Sequence, residues 1–127
     1  MQDKNLYEYA VIRAVPRPER EEFLNIGVVM FCKRAKYLKV LYKIDSAKLQ
    51  PFCGDFDSHD LAEYLQAIDK ICNGSSDSGL IASFDIPSRF RWLTAVRSSI
   101  VQTSRPHPGL SDNLDETLHK LFKELVL

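Results

Sequence analysis

The sequence lacks most of the features that assign a function quickly. Its three cysteines, Cys32, Cys53 and Cys72, are odd in number and far apart, and no Cys-x-x-Cys occurs. His59, His107 and His119 do not fall at zinc spacing, so neither a disulfide framework nor a structural metal is expected. There is no Walker loop, no glycine-rich dinucleotide turn and no His-Glu-x-x-His helix; no cofactor is expected. The 17 basic and 17 acidic side chains cancel, so binding to nucleic acid by bulk charge is not expected. No apolar run approaches the roughly 20 residues that span a bilayer. Met1-Gln2-Asp3-Lys4-Asn5 does not read as a signal peptide. A cytoplasmic chain without membrane contact is therefore expected.

What is present describes one folded domain. At 127 residues the chain is long enough to bury roughly two-thirds of its unfolded surface. Hydrophobic residues make up 45% and charged residues 27%, which argues against disorder. Charge is distributed unevenly. Residues 1–44 carry nine Lys/Arg against five Asp/Glu, residues 45–87 two against eight, and residues 88–127 six against four. Seven of the eight arginines fall in two groups, Arg13, Arg17, Arg20 and Arg89, Arg91, Arg97, Arg105. The planar fork of arginine suits carboxylate or phosphate. These groups are either an external anion site or partners for Glu19, Glu21 and Glu22.

The chain is organised around its first hairpin. Leu6–Pro16 reads as a strand, with Tyr7, Tyr9, Val11, Arg13 and Val15 on one face and Glu8, Ala10, Ile12 and Ala14 on the other. A charged link from Pro16 to Asn25 follows. Asn25–Cys32 is apolar on both faces and is placed centrally in the sheet; Gly27 within it suggests a bulge or a close backbone approach. Tyr37–Ile44 alternates as a third strand. Asp45 or Ser46 caps a short helix through Phe52, and a longer helix covers Asp60–Cys72. Leu80–Phe84 reads as a brief edge strand, and Ser88 as the cap of a helix over Arg89–Val96. Ser99–Thr103 returns as a strand. Ser104–Leu110, with Pro106 and Pro108, is expected to be irregular. Asp112 precedes a last helix carrying Leu114, Leu118, Leu121, Phe122 and Leu125. The pattern predicts an α+β domain: an antiparallel sheet of about four strands with helices packed on it.

Few residues could carry chemistry. His107 is held between two prolines, each restricting the residue before it, beside Ser104 and Arg105. Were the protein an enzyme, His107 and Ser104 would be its catalytic pair. Glu22 and its neighbours in the link could serve as paired carboxylates, although a charge run in a link is more often solvated. Asn25, at the mouth of a buried strand, must be satisfied and is expected to tie the link to a neighbouring backbone. Arg13, Arg17, Arg20, Arg105 and His107 are expected to converge on one pocket, and Arg91 and Arg97 complete the set of binding candidates.

Tyr7–Arg13, Pro16-Arg17, Glu19–Val28, Phe90–Ala95, Gln102–Ser104 and His107–Leu110 together resemble the bacterial domain-of-unknown-function 3037 family. The sequence departs at Val96 and Arg105, where the family pattern has proline. The resemblance implies no activity, but it does imply a context: such proteins resemble small partners encoded beside HipA-like kinases of toxin–antitoxin type. A non-catalytic, antitoxin-like regulatory partner of such a kinase is thus the first expectation. The second is a phosphate- or nucleic-acid-directed enzyme holding a phosphate-containing ligand in an Arg/His pocket.

Overall fold

The computed structural model describes residues 4–53, 58–75, 79–95 and 99–127. Its centre is one antiparallel sheet of five strands. Strands β1 (Asn5–Ala14), β2 (Leu24–Cys32) and β3 (Tyr37–Tyr42) form a meander. The far side of β1 is shared by two short strands, β4 (Val101–Thr103) opposite Ile12–Ala14 and β5 (His107–Ser111) opposite Asn5–Tyr9. Both strands of the first hairpin are therefore interior.

The two-sided apolar run of β2 has the cause expected of it, because helices cover both faces of the sheet. On one face Ala10, Ile12, Val29, Phe31, Leu38 and Val40 pack against α2 (Ser58–Asn73) and α3 (Ile86–Leu93) through Leu61, Leu65, Phe90 and Leu93. On the other face Tyr7, Val28, Met30 and Cys32 pack against Leu114 and Leu118 of α4 (Leu114–Leu125). Val28, Val29 and Met30 are fully buried and Phe31 nearly so. The short helix α1 (Ser46–Cys53) adds Leu49 to the first core. Its cap is Asp45, whose carboxylate accepts from the Ala47 N–H.

Several boundaries differ from the sequence reading for local reasons. Leu80–Phe84 is a 3-10 turn over Ile81–Ser83 rather than a strand. The Ser83 hydroxyl donates to the Leu80 carbonyl and the Phe84 N–H to that of Ile81, local partners that compete with pairing in a sheet. The cap of α3 is Asp85, whose carboxylate accepts from the Ser88 N–H. Pro87 then sits in the first turn, where a missing N–H costs nothing. For α4 the cap is Asn113, whose side-chain carbonyl accepts from the Glu116 N–H. The Val96 end expected for α3 lies outside the described residues.

The segment expected to be irregular supplies β5. Its prolines hold the chain extended, and an outer strand tolerates residues that cannot donate. Gly109 makes the pairing possible: it lies under the Tyr7 ring, which a Cβ there would overlap.

Cys32 and Cys72 are free and buried, as their place on apolar faces predicts. Burial first, and then Asp69, push the Cys72 thiol up to about 12, with Arg89 opposing. Native Cys72 is therefore expected to resist a thiol reagent near pH 8, where an exposed cysteine reacts. Because the folded value lies above the ordinary 9.0, the stability linked to this group is complete below that pH. It fades as the pH rises towards 12. Mass spectrometry after labelling with and without urea measures this, and a labelled native Cys72 would contradict it.

Candidate functional site

The site is the end of the sheet where β1 leaves for β2. Pro16 and Pro18 end the strand, a 3-10 turn forms over Pro18–Arg20, and Glu21 closes it in the left-handed region at φ 56°. The Glu21 N–H donates to the Pro18 carbonyl. Register then breaks: Ile12 faces Gly27 but Arg13 faces Asn25, so Ile26 is the extra residue of a β-bulge. The bulge turns Ile26 into the α2 core and leaves Asn25 on the α4 face beside Arg13.

Asn25 does bind a backbone, one that lies a hundred residues further along the chain. Its Nδ2 donates to the Leu125 carbonyl at 3.1 Å, and Lys48 Nζ donates to the Val126 carbonyl at 3.3 Å. Two carbonyls left open by the last turn of α4 are thereby satisfied. Arg13 lies over Phe23, its guanidinium carbon 4.0 Å from the ring centroid. Its Nε and the Asn25 Oδ1 are buried without a hydrogen-bond partner. Phe23 is 45% exposed. It is the residue that sequence reasoning missed, and an aromatic standing alone in a charged link was the available signal.

The other candidates divide into spent and unspent groups. Arg20 pairs with Glu22 at 2.8 Å, so two link candidates neutralise each other. Arg91 pairs with Glu8 through two bonds of 3.0 and 2.7 Å. The hydrogen bond it donates to Glu8 is the main reason its pKa lies above the ordinary value. This pair stands on the α3 face, opposite Arg13, because Glu8 alternates with Tyr9. Arg89 donates to the Ile71 and Cys72 carbonyls at the end of α2. Arg13, Arg17 and Arg105 form no ion pair among the described residues, and Arg97 lies outside them.

Ser104 takes part in the ladder. Its N–H donates to the Val11 carbonyl at 2.8 Å, and its Oγ accepts from the Val11 N–H at 2.9 Å while donating to the Arg105 carbonyl. The hydroxyl thus stands in for a carbonyl where the chain steps from β4 to β5. His107 faces Tyr9, their rings 5.4 Å apart. It shares a face with Arg13 but lies four residues back along β1, roughly 13 Å at about 3.3 Å per residue. β4 runs antiparallel to β1, so the amino end of β4 abuts the link while Ser104, Arg105 and His107 trail back along the strand. The expected convergence is drawn out into a row.

The family described as a protein of unknown function, DUF3037, matches residues 9–126. The chain belongs to this family. No curated protein and no solved structure matches it. The DUF3037 match covers every strand and helix described above except the first residues of β1. No group of three or more His, Cys, Asp or Glu side chains among the described residues is placed to hold a metal. No helix among the described residues is long and apolar enough to cross a membrane.

Proposed function

We propose that this DUF3037 chain is a protein-interaction module that regulates its partner, and that the partner is a HipA-like kinase, as the family resemblance implies. The supporting observation is an apolar patch on the α3 side of the β1–β5 edge. Leu6 and Leu110 are cross-strand partners and each is 63% exposed. They lie two residues along from the Glu8–Arg91 pair, and the exposed Phe84 and Trp92 line a shallow surface depression together with that Arg91. Apolar side chains grouped in this way mark surfaces that another protein covers. The groups an enzyme would need are meanwhile occupied: the Ser104 hydroxyl in the ladder, Glu22 by Arg20, Glu8 by Arg91. A phosphate- or nucleic-acid-directed enzyme would have to work with His107 tilted against the Tyr9 ring and with Arg13 two side-chain rows away.

The test is co-expression with the HipA-like kinase encoded nearest the gene, followed by size-exclusion chromatography and a phosphorylation assay. The two chains are expected to co-elute, and kinase activity to fall. Leu110→Asp, which places a charge in the patch without touching the core, should abolish co-elution. Separate elution with unaltered phosphorylation would overturn the proposal.

A further inference from the structure

The arginines of this chain can be sorted by what they already hold. Arg20 and Arg91 are paired with carboxylates, and Arg89 caps α2. Of the two arginine groups, Arg13, Arg17 and Arg105 form no ion pair among the described residues, and Arg97 lies outside them. Arg13 is the most organised of the three. Its guanidinium rests on Phe23 and rises from an interior strand, so little side-chain freedom is left to lose on binding. The nearest helix end is already capped, since Asn25 and Lys48 take the Leu125 and Val126 carbonyls. No Asp or Glu among the described residues pairs with Arg13, although five carboxylates lie within the first 22 residues. Its Nε is buried, and the two terminal nitrogens are the groups left to present.

We infer that the Arg13–Phe23 stack is the docking point for an acidic segment of a protein partner. This rests on the interaction reading and names the chemistry of one contact. The argument is charge complementarity. A guanidinium held in place without a counter-charge gains from an anion that a partner supplies, and no Asp or Glu among the described residues pairs with Arg13. A guanidinium fork takes a carboxylate through two parallel N–H bonds, and the aromatic beneath it fixes the plane of the fork. Arg13 supplies the specific contact, whereas Arg17 and Arg105, both exposed, supply attraction and rate of encounter.

The experiment uses the full chain, nitrogen-15 labelled, so that the Arg13 side-chain Nε–H and the backbone amides are all observed. The probe is a blocked tetraglutamate peptide, with inorganic phosphate and a short single-stranded oligothymidine as separate arms. The peptide is expected to shift the Arg13 Nε–H and the Phe23 and Gln102 amides, and binding should weaken as salt is raised. Arg13→Gln should weaken it by about tenfold, the value of one charge-assisted hydrogen bond. Arg13→Lys should weaken it nearly as much, because lysine keeps the charge and loses the fork. Arg105→Gln should cost less. Phe23→Ala, at an exposed position, removes the platform with the charge intact and should also weaken binding, which guards against Arg13→Gln failing to fold. Equal affinity in the Arg13 and Phe23 variants, or shifts mapping elsewhere, would overturn the inference. So would a response to phosphate or oligothymidine without one to the peptide, which would make this an oxyanion or nucleic-acid site. The titration needs no kinase. A peptide that binds beside a kinase that never co-elutes would sink the proposed partner and leave this inference standing.

Discussion

Phe90→Ala is expected to cost about 3–5 kcal/mol of folding stability, the usual range for a large aromatic cut from a close-packed core. Phe90 is fully buried and its ring stacks on Phe31 with centroids 4.9 Å apart. It is the residue through which α3 docks on β2, and Arg91 reaches over the same ring on its way to Glu8. Removal leaves a cavity between helix and sheet that neither can close without breaking its own hydrogen bonds. A domain of this size has roughly 5–15 kcal/mol to lose, so the melting temperature should fall by roughly 10–20 °C. Trp92→Ala, two residues along and partly exposed, should cost much less. Thermal and urea unfolding followed by circular dichroism measure both, and a Phe90→Ala loss below about 1 kcal/mol would contradict the packing described here.

Gly27→Ala comes next, with an expected loss of about 1–3 kcal/mol. A Cβ at this position would lie 2.8 Å from the Leu41 carbonyl oxygen, 3.0 Å from the Tyr42 Cβ and 3.3 Å from the Ile12 Cδ1. The first of these is backbone of β3, one residue from the Gly27–Tyr42 partnership, so relief requires moving the β2–β3 ladder itself. The consequence extends to the site, because Gly27 flanks the bulge that places Asn25 beside Arg13. The Asn25 side-chain amide signals should shift along with the loss of stability. A variant as stable as the parent, with those signals unmoved, would show that the close approach carries no strain.

Periodicity alone revealed much of this architecture. The alternation from Tyr7 to Val15 separates two cores that the structure places on opposite faces of β1, and the unbroken run of β2 announces cover on both sides. The stripe of α4 and the long stripe of α2 lie where their spacing puts them. Misread segments were decided either by tertiary partners or by single local hydrogen bonds. Pro106 and Pro108 read as breakers because their cost depends on which side of the strand is paired, and that is not written locally. Ser83 and Asp85 took over the roles given to a strand and to Ser88 through single hydrogen bonds to neighbours three residues away.

The candidate site was legible in its parts and not in its arrangement. Residue type picked out Arg13, Asn25 and His107, and they do share one face of the sheet. Their separation depends on the direction of β4 and on the step at Ser104, neither of which spacing encodes. The Glu8–Arg91 and Arg20–Glu22 pairs show the other limit. A cluster of arginines in sequence does not reveal which of them the fold has already neutralised.

The shared side of β1 has a consequence for how the molecule assembles. The meander of β1, β2 and β3 is built from neighbours in sequence and can form early, but the remaining side of β1 waits for residues 101–111. Closing so long a loop is slow relative to local pairing. Until it closes, a central strand presents its open N–H and C=O groups as an edge, the template on which unrelated chains aggregate. A nascent chain leaving the ribosome would carry that edge until residues 101–111 had followed. β5, small and interrupted by proline, is then the piece that ends the hazard, and its own outer side, blunted by Pro108, offers the next chain little to pair with.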